Sequence, residues 1–129
     1  MKRMTRQRST ILECFKDANR PLSAQELLEA ASKSIPNINL ATIYRNLKTL
    51  IEEEILVIVQ LPGQPPRYEY NGLEDHHHFL CHTCNRVFDV QESIPVASSS
   101  IPEGFQVLKC DITLHGVCLD CTPSDADIL

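Results

Sequence analysis

Between residues 6 and 18, Ile11, Leu12, Phe15 and Ala18 recur three and four positions apart, while Arg8, Glu13, Lys16 and Asp17 fall elsewhere, a spacing that predicts a first helix. Cys14 lies beside that apolar face and reads as a core residue. Asn19-Arg20-Pro21 breaks the helix. Ser23-Ala24-Gln25-Glu26 then spells a capping box, with Leu22 before it and Leu27, Leu28 and Ala31 after it, so a second helix is expected to about Ser34, ended by Ile35-Pro36-Asn37. Asn39 is placed to cap a third helix over residues 40–53, with Leu40, Ile43, Leu47 and Leu50 as its buried stripe. The opposite face carries Ala41, Thr42, Arg45, Lys48 and Thr49, with Tyr44 on the flank. It is small, hydroxylated and cationic, with no acid before Glu52, and suits a DNA major groove; a plain solvated face is the alternative. Residues 55–61, the turn Pro62-Gly63-Gln64-Pro65-Pro66 and residues 67–70 read as strand, turn, strand. Three helices followed by a hairpin predict a winged helix-turn-helix with the third helix reading DNA.

Beyond residue 70 the pattern shortens. Residues 71–74 read as a hinge. Phe79-Leu80 and residues 87–90 predict two short strands, and residues 105–114 a longer one, while the Ser- and Pro-rich stretch from Ser93 to Pro102 makes a poor helix. The tail from Thr122 has no periodicity and is expected to fray. The expected organisation is a winged-helix DNA-binding domain at 1–70, a hinge at 71–74, a dimerisation domain at 75–121 and a tail at 122–129. So few strands bury little apolar surface, which calls for a structural metal, and strands of this kind commonly complete a sheet with a second subunit. The fold class is α+β: an N-terminal winged helix-turn-helix domain followed by a small zinc-stabilised α/β dimerisation domain.

The metal has obvious ligands. His76-His77-His78-Phe79-Leu80-Cys81-His82-Thr83-Cys84 is followed farther on by Cys118-Leu119-Asp120-Cys121. Two thiolates separated by two residues chelate one ion from a tight turn, and a second such turn completes a tetrahedron, as in four-cysteine structural zinc sites. Two disulfides or one redox pair is the competing reading. In a strand, positions 76 and 78 share a face, so His76 and His78 can meet one further ion while His77 points away. His82 reads as an exposed spectator, and the role of His115 is open.

Charge sharpens the division. The net charge of −5 alone argues against a nucleic-acid partner, yet residues 1–70 hold ten Lys/Arg against eight Asp/Glu, or +2, and residues 71–129 two against nine, or −7. Neither a membrane-spanning run nor a secretory signal is visible, so a cytoplasmic protein without membrane contact is expected. A closed four-thiolate site leaves no coordination position for a hydrolytic water, and no nucleophile–base pair or phosphate-binding glycine loop is present, so an enzyme is not expected. A zinc-ribbon interaction module without DNA binding would leave the winged helix unexplained.

Thr5-Arg6-Gln7-Arg8, Leu40-Ala41-Thr42-Ile43-Tyr44-Arg45-Asn46-Leu47, the histidine–cysteine stretch at 76–84 and Gly116-Val117-Cys118-Leu119-Asp120-Cys121 together resemble, in order, the ferric uptake regulator (Fur) family of bacterial metal-dependent repressors. The resemblance implies a winged-helix homodimer controlling metal-homeostasis or oxidative-stress genes. A structural zinc on Cys81, Cys84, Cys118 and Cys121 holds its dimerisation domain, and a regulatory metal closes it on an AT-rich palindrome of double-stranded DNA. It implies DNA contacts from Arg3, Tyr44 and Arg45, to which the outward face of the third helix adds Thr42 and Lys48, and regulatory ligands at Glu69, His76, His78 and Asp89. Two imidazoles and two carboxylates suit Fe2+ or Mn2+, with Zn2+ also able to bind. Three departures stand out. Arg20 replaces a ligand histidine and cannot coordinate. Cys110 replaces another histidine and is either an extra soft ligand or an inert buried thiol. The 93–102 segment is shorter than the family's interface helix. Asp89 in place of Glu resembles the peroxide-sensing branch, whereas the zinc-sensing branch has a cysteine where Glu69 lies.

Overall fold

The computed structural model describes residues 2–72, 77–90 and 97–123, with side chains from Arg6 onward. Leu73 and Glu74 of the expected hinge, His76, and most of the tail lie outside them, as does the side chain of Arg3. The chain forms two compact units, residues 1–73 and 74–129.

In the first unit, α1 (Lys2–Ala18) places Ile11 and Phe15, one turn apart, in the core, with Leu12, Cys14 and Ala18 partly buried against it. Asn19 ends it in the left-handed region at φ 51°, its amide donating to the Phe15 carbonyl at 3.0 Å, a conformation asparagine tolerates better than most residues. The capping box forms as expected: Ser23 Oγ accepts from the Glu26 amide (3.1 Å), and the Ser23 amide donates to Glu26 Oε1 (3.0 Å). It starts α2 (Ala24–Ala31), which stops short of the expected Ser34 and unwinds through turn bonds from Ser34 and Ile35 to the Ala31 carbonyl. Asn39 Oδ1 accepts from the Thr42 amide (2.9 Å) and caps α3 (Leu40–Glu52).

Ile43, Leu47 and Leu50 of α3 are buried at 1 % exposure or less, each contributing about 1.5–3 kcal/mol of burial. Leu40 is 37 % exposed and leaves the expected stripe, because it precedes the first full turn. Thr42, expected on the outward face, is buried instead. A two-residue strand unforeseen in the sequence, β1 (Leu22–Ser23), pairs with β3 (Arg67–Tyr70), which pairs in turn with β2 (Leu56–Val59); both pairings are antiparallel. Tyr70 fastens the hairpin to α1, its hydroxyl donating to the Leu12 carbonyl (2.9 Å) and its ring edge-on to Phe15.

The second unit is a three-stranded sheet ordered β5-β4-β6, from β4 (His77–Cys81), β5 (Val87–Val90) and β6 (Thr113–Gly116). β4 runs antiparallel to β5 and parallel to β6, with Cys81 opposite Gly116. A Cβ on Gly116 would stand 3.0 Å from the ring of Phe79, so glycine lets that ring lie across β6. Among the described residues of this unit the buried apolar groups are few: Leu80, Val87, Cys81 and Cys118. The long strand expected at 105–114 reduces to its last two residues, carried on by His115 and Gly116. Residues 105–112 are irregular, with Phe105, Val107 and Leu108 exposed, because no neighbouring strand among the described residues offers them a ladder. The only regular piece of the serine-rich stretch among the described residues is a 3₁₀ turn at Ser98–Ser100.

Candidate metal centres and nucleic-acid interface

The last residue of β4 is Cys81 and the turn after it presents Cys84, while the segment after β6 presents Cys118 and Cys121, so the parallel β4–β6 pairing brings the two arms side by side. All four Sγ atoms lie within 4.8 Å of one another, and Cys84 and Cys118 Sγ are 3.8 Å apart. Tetrahedral zinc with Zn–S bonds of about 2.3 Å requires sulfurs roughly 3.8 Å apart. That spacing is far too long for disulfides, and all four cysteines are free. The amides of Cys84 and Cys118 point at Cys81 Sγ (3.5 and 3.4 Å), and these bonds, the first above all, hold the Cys81 thiol down at about 5 despite its burial. Burial, and then the crowding sulfurs of Cys118, Cys84 and Cys81, push Cys121 up to about 12. A dication held by the four sulfurs would offset that crowding with its own charge and let Cys121 bind as a thiolate. The four-cysteine cluster thus fits a structural zinc, a closed site with no position left for catalysis.

A second donor set of different chemistry lies in the same unit. His78 on β4 faces Asp89 on β5 in register, Nε2 to Oδ1 3.4 Å, both side chains largely buried. Glu69, on β3 of the first unit, is also buried. His77 points inward, as the alternation requires, but is no bystander: its Nδ1 accepts from the Ile112 amide (3.0 Å) and anchors the strand leading to β6. Cys110 is exposed, which excludes the inert buried thiol. Arg20 forms an ion pair with Glu26 (2.9 Å) and donates to the Pro21 carbonyl, a structural task at the position where the resemblance implied a ligand histidine. His82, expected as a spectator, is exposed but meets His115, Nε2 to Nδ1 2.7 Å.

On α3, Tyr44, Arg45 and Lys48 are exposed, Tyr44 by 51 %. Thr42 serves behind them: its hydroxyl accepts from Arg45 Nη2 (3.0 Å) and its carbonyl from Asn46 Nδ2 (2.9 Å), so it orients Arg45 and presents little surface itself. Sequence reasoning also missed Arg86, which donates through Nε to Cys84 Sγ at 3.0 Å. A cation two residues past a Cys-x-x-Cys pair was the available signal.

Residues 1–115 match the model of the ferric uptake regulator family. The chain belongs to that family. It is 34 % identical over 128 residues to the ferric uptake regulation protein of Synechococcus elongatus, covering 95 % of this chain and 87 % of that one. It is 28 % identical over 123 residues to the peroxide-responsive repressor PerR of Staphylococcus aureus (92 % and 82 %). The crystal structure of the Vibrio cholerae ferric uptake regulator superposes with a TM-score of 0.66 at 25 % identity, covering 87 % of this chain and 88 % of the other. As a Fur-family protein the chain is a metal-responsive transcriptional regulator and not an enzyme. Its architecture, an N-terminal winged helix followed by a dimerisation unit, is the family's. No helix among the described residues is long and apolar enough to cross a membrane.

Proposed function

We propose that this Fur-family protein is a cytoplasmic, homodimeric repressor whose affinity for an AT-rich palindromic operator is raised by Fe2+ or Mn2+, and that it controls metal-homeostasis or oxidative-stress genes. The observation that carries this reading is the pairing of His78 with Asp89, a nitrogen–oxygen donor set separate from the thiolate cluster in the same small unit. Hard and borderline donors suit iron(II) and manganese(II), whereas the thiolates suit zinc. The proposed ligand set adds His76 and Glu69. The effect on DNA affinity of an ion held by this set is a coupling free energy. The exposed apolar side chains of Phe105, Val107 and Leu108 support a second copy of the chain as a partner of this unit. Asp89, together with the likeness to a peroxide-responsive repressor, supports peroxide sensing as a second reading. Arg20 in place of a histidine leaves oxidation to His76 or His78.

DNA contact is assigned to Tyr44, Arg45 and Lys48, with Arg3 at the start of α1, and Thr42 as the group that orients Arg45. Arg45→Ala is expected to cost about 1–3 kcal/mol of operator affinity and, if Arg45 meets a phosphate, to reduce the salt slope by about one, with bound zinc unchanged. Titrating labelled operator at several salt concentrations checks this. Unchanged affinity and slope would remove Arg45 from the interface.

A further inference from the structure

Arg86 reaches the thiolate cluster without being one of its ligands. Its carbonyl accepts from the Cys81 amide (3.0 Å), so the turn between the first two cysteines fixes where its side chain begins. From there Nε donates to Cys84 Sγ at 3.0 Å, while Nη2 lies 3.5 Å from Cys118 Sγ and 3.1 Å from Asp120 Oδ2. The guanidinium also sits over the ring of Phe88, 5.5 Å from its centroid. One cation therefore touches a sulfur from each arm of the site and is steered by a carboxylate lying between Cys118 and Cys121. Four thiolates around a dication leave excess negative charge on sulfur. Charge-assisted N–H···S bonds draw density from the lone pairs that would otherwise attack an electrophile.

We propose that Arg86, steered by Asp120 and Phe88, is a positioning residue of the four-cysteine site that restrains the Cys84 and Cys118 sulfurs from attacking electrophiles, and so protects the metal from release. This rests on the assignment of zinc to the four cysteines.

Iodoacetamide is a suitable probe. A zinc-bound sulfur attacks its methylene carbon, the S–C bond forms as the C–I bond breaks, and iodide departs with the electron pair. The thioether that results is a poor ligand, and zinc escapes to a coloured chelator. The test compares zinc-loaded full-length protein with Arg86→Gln, Arg86→Lys and Asp120→Asn, subtracting spontaneous release to the chelator alone. A purely structural role would raise the spontaneous rate, which is expected to stay unchanged. Alkylation-dependent release is expected to rise roughly five- to tenfold in Arg86→Gln, less in Arg86→Lys and about twofold in Asp120→Asn. Wild-type rates in all three overturn the proposal. If Arg86→Gln fails to retain zinc, the other two variants decide, and wild-type rates in both overturn it equally. Metal analysis before alkylation separates the two levels: wild-type protein without one zinc per chain removes the zinc assignment, and this proposal with it.

Discussion

Cys118→Ser is expected to empty the four-cysteine site and unfold the second unit. Cys118 is buried, its amide donates to Cys81 Sγ, and its sulfur lies 3.8 Å from that of Cys84, so its loss opens the tetrahedron from the inside. Little else holds this unit together. Leu80 and Val87 are its fully apolar buried side chains among the described residues, each contributing about 1.5–3 kcal/mol, whereas structural zinc in small domains contributes an apparent 10–16 kcal/mol or so at neutral pH. The variant should contain no zinc, lose its strand signal in circular dichroism and elute as a monomer or an aggregate, while α1, α2 and α3 keep their own core. A soluble dimer with one zinc per chain would contradict the assignment.

The second large effect is expected at His78. In His78→Ala the thiolate site keeps its zinc, but operator affinity becomes indifferent to added iron(II) or manganese(II). The ratio of affinities with and without metal falls from the roughly 5–150-fold typical of allosteric coupling to about one. His77→Ala is the control, and the structure changes what that control should show. Alternation along β4 alone makes His77 a bystander, yet its ring is buried and accepts from the Ile112 amide. His77→Ala should therefore retain the metal response while losing about 1 kcal/mol of stability, the cost of a half-buried amide left without its acceptor. Operator titrations in chelator and in added metal, beside thermal melts, distinguish the two variants. Loss of the response in His77→Ala but not in His78→Ala would overturn the ligand assignment.

Local chemistry was legible in the sequence wherever it was self-contained. The capping box at Ser23 and Glu26, the Asn39 cap, the break after Ala18 and the β2–β3 hairpin each depend on residues a few positions apart, and all are present, with β2 (Leu56–Val59) shorter than the 55–61 expected. The two Cys-x-x-Cys pairs were legible for the same reason. What the pattern could not carry was partnership. β1 is two residues long and exists because β3 offers an edge. Residues 105–112 carry apolar groups at intervals that suit a strand, but find no ladder among the described residues. Thr42 falls on the outward side of a helical wheel yet is buried, since a wheel gives direction and not the depth of the neighbouring elements. Arg86 and His115 act through contacts across more than 30 residues of chain, which no local motif encodes.

The most direct test of metal-gated DNA recognition is one titration of the unmodified protein, with its zinc confirmed, against a labelled AT-rich palindrome in chelator mild enough to spare the four-cysteine site and again in added iron(II) or manganese(II) under anaerobic conditions. Affinity should rise at least about fivefold with metal, consistent with a coupling of 1 kcal/mol or more. Equal affinity in both conditions, or no binding in either, would contradict the account.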